Sequence, residues 1–248
     1  MEANIKVIME RERLAEHTKN DLISSVAHDL RTPLTSIIGY LGWVREQEEL
    51  DEQTRKKYLD IAYRKARHLE QMTNELFGFV KLEHREMPVH MGSLDMVQLM
   101  AQLLDENAPS FERYGLVAEF SCREKAMPVT ADGNLLARMF ENLLNNAVKY
   151  GKDGKLVRVE MEKRGPLVIT RVINYGYVIP QEEQEKLFRK FYRVEHSRSQ
   201  DTGGTGLGLA IVEQIAQLHG GSVSVRSDLE GTVFEVTLPE KQKMEETI

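Results

Sequence analysis

Two apolar stripes of helical period dominate the first third of the chain. Apolar residues recur at Ile23, Val26, Leu30, Leu34, Ile37, Leu41 and Val44. Steps of three and four mark a helix with one buried face. Tyr58, Ile61, Ala62, Leu69, Met72, Leu76, Phe79 and Val80 repeat the pattern. The first helix is expected to end near 47–51 and the second to run from about 52 to about 86. A short turn between them makes an antiparallel hairpin. One hairpin alone leaves half of each stripe wet, whereas two hairpins from two chains bury it as a four-helix bundle. The expectation is a homodimer; packing of the stripes on the C-terminal half of the same chain is the alternative.

A length of 248 residues fits one or two domains. Hydrophobic residues make up 41%, enough for real cores, and the net charge of −6 argues against a nucleic-acid surface. Cys122 is the single cysteine, so no internal disulfide forms and a reducing compartment fits. No apolar run approaches the roughly 20 residues that span a bilayer. The first residues are charged and broken by Glu and Arg, unlike a signal peptide. The chain is therefore expected to be cytoplasmic, without a membrane segment.

Within the first stripe, Ser24, His28, Arg31 and Thr35 form a polar row on another face. This puts the His28 imidazole on the wet side of a rigid helix, with Asp29 beside it and Thr32 one turn on. Pro33 cannot donate to the carbonyl of Asp29, so a bend is expected there. Residues 1–20 are charged and expected to be helical, either as a solvated helix end or as a signalling helix continuous with the His28 helix.

Met87, Pro88 and Gly92 interrupt the helical pattern and mark a domain boundary. The expected divisions are a linker helix over 1–20, a helical hairpin over 21–87, a mixed α/β domain over 88–240 and a tail over 241–248. In the third, helices are expected over 94–107, 133–150 with Asp132 as N-cap, 181–190 and 207–218. Strands are expected over 116–121, 156–163, 167–174, 222–227 and 232–238. Residues 195–204 are polar, irregular and long enough for a lid.

On the 133–150 helix, Asn142, Asn146 and Lys149 fall on one face. Amide oxygens are hard ligands that suit Mg²⁺, and an ammonium suits phosphate; a plain polar outer face is the alternative. Asn is a poor interior helix residue, so its repeated use needs a reason. Gly203, Gly204, Thr205, Gly206, Leu207 and Gly208 lead into the next helix. Glycines let backbone N–H groups approach phosphates, and the helix N-terminus adds a favourable dipole. A flexible lid hinge is the alternative.

Together these runs resemble the bacterial sensor histidine kinases over about residues 14–240. The run around His28 resembles the phosphoacceptor box, residues 141–150 the N box, 188–193 the F box and 203–210 the G2 box, in the family's order. Residues 21–40 and 197–208 resemble sensors of the vancomycin-resistance type. The implied fold is a dimeric helical hairpin bundle followed by an α/β sandwich that binds ATP. The implied reaction is transfer of a phosphoryl group from ATP to His28, then to an aspartate on a response-regulator receiver domain.

By the same resemblance Asp29 is the general base and Thr32 orients water for dephosphorylating the regulator. Asn146, supported by Asn142, holds Mg²⁺. Lys149 contacts phosphate, Tyr150 lies near the base or ribose, and Gly204, Thr205, Gly206, Leu207 and Gly208 cradle phosphates. Lys190 or Arg193 reaches the γ-phosphate. A membrane sensor usually precedes this point in the family, which would hold the chain at the inner face of the cell membrane.

The run Asn174-Tyr175-Gly176-Tyr177-Val178-Ile179-Pro180 departs from the family's G1 box, Asp-x-Gly-x-Gly followed by Ile-Pro. Gly176, Ile179 and Pro180 match. Asn174 stands where an aspartate accepts from the adenine amino group, and Val178 replaces a glycine. Loss of charge assistance costs on the order of 1 kcal/mol, or roughly fivefold in affinity. Val178 also disfavours positive φ. The expectation is weaker adenine binding with activity kept; a degenerate kinase that no longer binds ATP is the sharper alternative. Two further classes are an ATPase related to chaperone and mismatch-repair enzymes, and a non-catalytic dimeric scaffold. In those ATPases a carboxylate stands where this chain has Asn142, so hydrolysis to water is disfavoured.

Overall fold

The computed structural model describes residue 27 and residues 29–47, 49–83, 88–194 and 205–241. His28, the expected linker helix over 1–20, the irregular run 195–204 and residues 242–248 lie outside the described residues. The chain divides into two compact units, Met1–Gly78 and Phe79–Ile248.

In the first unit, helix α1 covers residues 29–46 and runs through Pro33, which is buried. Helix α2 spans Glu52–Glu83. Asp51 starts it, its carboxylate accepting from the Thr54 N–H at 2.9 Å. Hydrogen bonds from Thr54 hold that carboxyl below the usual range. Near the turn, Tyr58 packs on Tyr40 and edge-on against Trp43, at 5.5 and 5.7 Å between ring centroids. Ala62 and Met72 are buried, whereas Leu34 and Leu41 of the first stripe are 46% and 45% exposed.

The second unit takes in the end of α2 from Phe79, then strand β1, Gly92–Asp95, and helix α3, Met96–Arg113. Strands β2, Val117–Cys122, and β3, Pro128–Ala131, precede helix α4, Gly133–Tyr150. A 3₁₀ turn at Lys152–Gly154 leads to β4, Leu156–Arg164, and β5, Leu167–Asn174. Helix α5 is Gln181–Gln184, helix α6 is Gly208–Leu218, and β6, Ser222–Asp228, pairs with β7, Gly231–Pro239. Five strands form one sheet in the order β2-β4-β5-β7-β6, while β1 and β3 pair apart from it. Only the β2–β4 pair is parallel among these.

Alternation in β4 buries Val157, Val159 and Met161 and leaves Arg158, Glu160 and Glu162 on the other face. Helices α3, α4 and α6 pack on the sheet to make a two-layer sandwich. On β5, Arg171 pairs with Glu162 at 2.6 Å and with Glu235 at 2.7 Å, closing a charge ladder across three strands. Helix α4 buries Leu136, Met139, Phe140, Leu143 and Leu144 completely.

Strands β1 and β3 add to the expected elements, and two expected helices differ in extent. The helix expected over 94–107 begins later and continues past Pro109 to Arg113. Its start is displaced because Asp95 closes β1 and caps the helix, accepting from Val97 N–H at 3.0 Å and from Met127 N–H at 2.9 Å. The helix expected over 181–190 stops at Gln184. Beyond it, Lys186, Leu187, Arg189 and Tyr192 each donate to the residue three back, forming successive tight turns.

His219 ends α6 and is 1% exposed. Its Nδ1 lies 2.8 Å from the Ile215 carbonyl, and its Nε2 accepts from the Asp132 N–H at 3.0 Å. This fixes a neutral ring protonated at Nδ1. Burial pulls its pKa below the ordinary value, against the opposing pull of the Ile215 bond and the Asp132 charge. Unfolded, the ring titrates near ~6.5. Below that pH the unfolded chain binds the extra proton and the folded one does not, so stability falls as pH drops toward the folded pKa. Urea midpoints measured at about pH 7.5 and about pH 5.5 should therefore show a loss at the lower pH, and His219→Gln should flatten that difference.

Candidate functional site

Asp132 is the N-cap of α4, accepting from the Asn134 and Leu135 N–H groups at 3.0 and 3.1 Å. It starts a helix that buries one face and leaves Asn142, Asn146, Lys149 and Tyr150 half-buried along the other margin. The Asn142 amide donates to the Arg138 carbonyl at 2.8 Å, which orients the side chain. Its Oδ1 faces the start of α6: a Cβ built on Gly208 would lie 3.0 Å from it. A side chain at position 208 would be tight against this amide, so glycine eases the close approach of the two helices. The Lys149 ammonium stands 5.0 Å from the centre of the Tyr150 ring.

Among the described residues no side chain caps the first turn of α6. Thr205 is buried, and its hydroxyl accepts from the Leu207 N–H at 3.1 Å, one residue before the helix. The N–H groups of the first helical turn are left for another acceptor, and the helix dipole favours an anion there. Gly206 has φ of 70°, and a Cβ on it would meet the Phe191 backbone at 2.7 Å. The Phe191 N–H donates to the Gly206 carbonyl at 3.0 Å, tying the segment before residues 195–204 to the segment after them. Gly204 lies outside the described residues.

Asn174 ends β5 and is buried, opposite Thr232 of β7. Gly176 serves a packing need: its added Cβ would stand 2.3 Å from the Tyr150 carbonyl oxygen. The turn after β5 therefore lies directly against the end of α4. Gly154 meets Tyr175 as closely, at 2.2 Å from its carbonyl. Val178 does not take positive φ; Lys155 and Phe191 are the non-glycine residues that do among those described. In the first unit, Asp29 is half-buried and Thr32 exposed.

Along α4 the structure thus brings Gly208 against Asn142, and Gly176 and Asn174 against the end of the helix at Tyr150 and Gly151. Lys190 is engaged elsewhere in the second unit. It pairs with the Glu83 carboxylate and lies 5.0 Å from the centre of the Phe79 ring. Arg193 is half-buried.

A polar cluster that the sequence reading missed supports the turn after β5. Ser227 Oγ accepts from the Ile179 N–H at 2.9 Å and lies 2.7 Å from Thr232 Oγ1. Gln184 donates to the Ile179 and Ser227 carbonyls at 2.8 and 3.0 Å. The signal was available in the register of the last hairpin, which sets Ser227 opposite Thr232.

These elements can bind a polyphosphate. Amide oxygens on α4 offer ligands for a hard cation, open N–H groups on α6 offer anion contacts, and Lys149 adds positive charge. Placing a methyl at Gly176 should force the turn after β5 away from α4. Gly176→Ala is expected to cost ~1–3 kcal/mol of stability, measured by urea denaturation, and to weaken nucleotide binding measured by calorimetry.

Residues 18–85 match the His Kinase A (phospho-acceptor) domain, and residues 131–242 match the histidine kinase-, DNA gyrase B-, and HSP90-like ATPase family. The chain is 37% identical to the sensor protein VanS of Enterococcus faecium, across 92% of this chain and 59% of that protein. It is also 37% identical to VanSC of Enterococcus gallinarum, across 91% of this chain and 62% of that protein. It spans about three-fifths of the length of these relatives. The histidine kinase ThkA, solved in complex with the response regulator TrrA, superposes with a TM-score of 0.74. That match has 24% identity and covers 93% of this chain and 64% of that one. The mycobacterial sensor histidine kinase MprB matches with a TM-score of 0.53 and 26% identity, across 62% of this chain and all of that one. With the phosphoacceptor and ATPase modules in sequence, and relatives over nearly its whole length, this chain belongs to the bacterial sensor histidine kinases.

Proposed function

We propose that this chain transfers the γ-phosphoryl group of ATP to the imidazole of His28 and passes it to an aspartate of a response-regulator receiver domain. The observation that carries the reading is Asn142 Oδ1 turned toward the open first turn of α6 at Gly208. An amide oxygen and a set of N–H donors on one spot suit a metal–phosphate pair. Asn146 and Asn142 would hold Mg²⁺, which when bound neutralises phosphate charge. Lys149 and the amides of residues 204–208 would bind phosphate oxygens. Tyr150, Asn174 and Gly176 would line the base and ribose, with Asn174 accepting from the adenine amino group. Arg193 would face the γ-phosphate, and Lys190 would reach it on leaving Glu83.

A neutral His28 nitrogen attacks the γ-phosphorus in line. The N–P bond forms, the bond to the β-phosphate oxygen breaks, and ADP leaves. Asp29 takes the proton from the other ring nitrogen. Thr32 would direct water onto the phosphorylated regulator, giving phosphatase activity. The hairpin over 21–87 acts as a homodimer, supported by the exposed Ile38, Leu41, Tyr63 and Phe77. The domain over 88–240 binds nucleotide, residues 1–20 carry the signal in, and 241–248 form a tail. ThkA, whose fold is similar, was solved with its regulator, which supports a receiver domain as partner. Among the described residues no helix is long and apolar enough to cross a membrane; a preceding sensor region would place the kinase at the inner face of the cell membrane.

Incubation with radiolabelled ATP tests the proposal. Acid-labile label on the wild type, absent from His28→Gln, is the expected result. Free phosphate released by both proteins would instead assign an ATPase, and no turnover by either would leave a dimeric scaffold.

Base recognition has its own test. Asn174→Asp restores a charged acceptor, so ATP should bind about fivefold more tightly. The free protein should become less stable, because an unpaired carboxylate is buried there. Calorimetric titration with ATP and thermal melting of the free protein measure the two effects.

A further inference from the structure

Helices α4 and α6 touch at two polar points. One is Asn142 against Gly208 at the phosphate end. The other is His219 on Asp132 at the far end, where Nε2 accepts from the backbone N–H at 3.0 Å. The start of α4 therefore meets the end of α6, and the two helices run antiparallel. Ten residues separate Asp132 from Asn142 on α4, and eleven separate Gly208 from His219 on α6. At ~1.5 Å per residue the two spans are about 15 and 16.5 Å, so both contacts close in one register.

Between these points the helices meet through buried apolar faces. Apolar contact is non-directional and specifies a slide along the axis weakly. A hydrogen bond loses strength steeply with angle and distance. Both ends of the His219 bond are rigid. The imidazole is pinned to its own helix through Nδ1 and the Ile215 carbonyl at 2.8 Å. The Asp132 N–H belongs to a cap whose carboxylate holds the first turn of α4. The tie transmits no slack from one helix to the other.

We propose that His219 is a positioning residue for nucleotide binding: its bond to Asp132 sets the register of α6 along α4 and so holds Gly208 against Asn142. The inference rests on reading that junction as the phosphate site. It assigns a role to a buried side chain on the far end of α6 from the nucleotide.

Two substitutions separate the halves of the ring. Glutamine carries its amide near the Nε2 position and keeps an acceptor for the Asp132 N–H. Asparagine carries its amide near the Nδ1 position, so it keeps the Ile215 contact and loses the Asp132 one. Binding of MgATP by the full chain is measured by calorimetry at a temperature where circular dichroism shows all proteins folded. The dissociation constant should rise about tenfold in His219→Asn, the equivalent of one lost buried hydrogen bond, and less than about threefold in His219→Gln. Equal affinity in all three proteins overturns the proposal. So does an equal loss in both variants, or failure of both to fold, since either assigns His219 to stability alone. If the wild type itself does not bind MgATP, the nucleotide reading has failed and the inference falls with it; normal wild-type binding with an unaffected Asn variant sinks the inference alone.

Discussion

The carboxylate of Asp132 accepts from three backbone N–H groups, those of His90, Asn134 and Leu135, and its own N–H is held by His219. The residue is 4% exposed. Burial alone would push its carboxyl up, but the N–H groups of His90, Leu135 and Asn134 hold it below the usual range. A buried charge is tolerated only when its lone pairs are satisfied in this way. One residue thereby joins three elements: its carboxylate holds the lead-in to β1 and the start of α4, and its backbone N–H holds the end of α6. Most of the contact between α4 and α6 is apolar and interchangeable in kind, whereas this one has a single geometry.

From that cap, α4 divides its surface without ambiguity. Its apolar face carries eight buried residues and leaves no place for an amide. Asn142 and Asn146 are confined to the margin by that division, and Gly208 lets α6 come close enough to face one of them. Functional groups placed on a helix whose other face is fully packed need little ordering when a ligand arrives. The hairpin unit shows the opposite condition. Leu34 and Leu41 stay partly exposed along its apolar stripe, so nothing comparable fixes its polar row.

Much of this was legible before any coordinates. The stripe on α4, its Asp132 cap, the strand pair across residues 164–166 and the last hairpin each agree at the levels of period, cap and turn. Legibility failed where local chemistry served distant partners. Asp95 reads as an ordinary acidic residue within a helical pattern, yet it caps α3 and also accepts from Met127, thirty-two positions away. Gln184 reads as a helix former, yet its amide is spent on Ile179 and Ser227. In the candidate site, the polar face of α4 and the glycine run before α6 were readable because spacing alone sets them apart from the buried stripe. The reason for Gly176 was not, since it depends on where the Tyr150 carbonyl lies.

The departure at Val178 fits the same logic. A glycine there would let the loop choose a positive φ, and valine closes that option. The loop is instead fixed from outside by side chains. Ser227 Oγ accepts the Ile179 N–H, so its own proton is free to point to Thr232 Oγ1. Gln184 then satisfies the Ile179 carbonyl and both backbone groups of Ser227. Every polar group in the cluster has a partner without any left-handed residue between Tyr175 and Pro180. A loop held this way has fewer backbone states to lose on binding any ligand. Ser227, Thr232 and Gln184 thereby give the turn its shape without the backbone freedom of a second glycine.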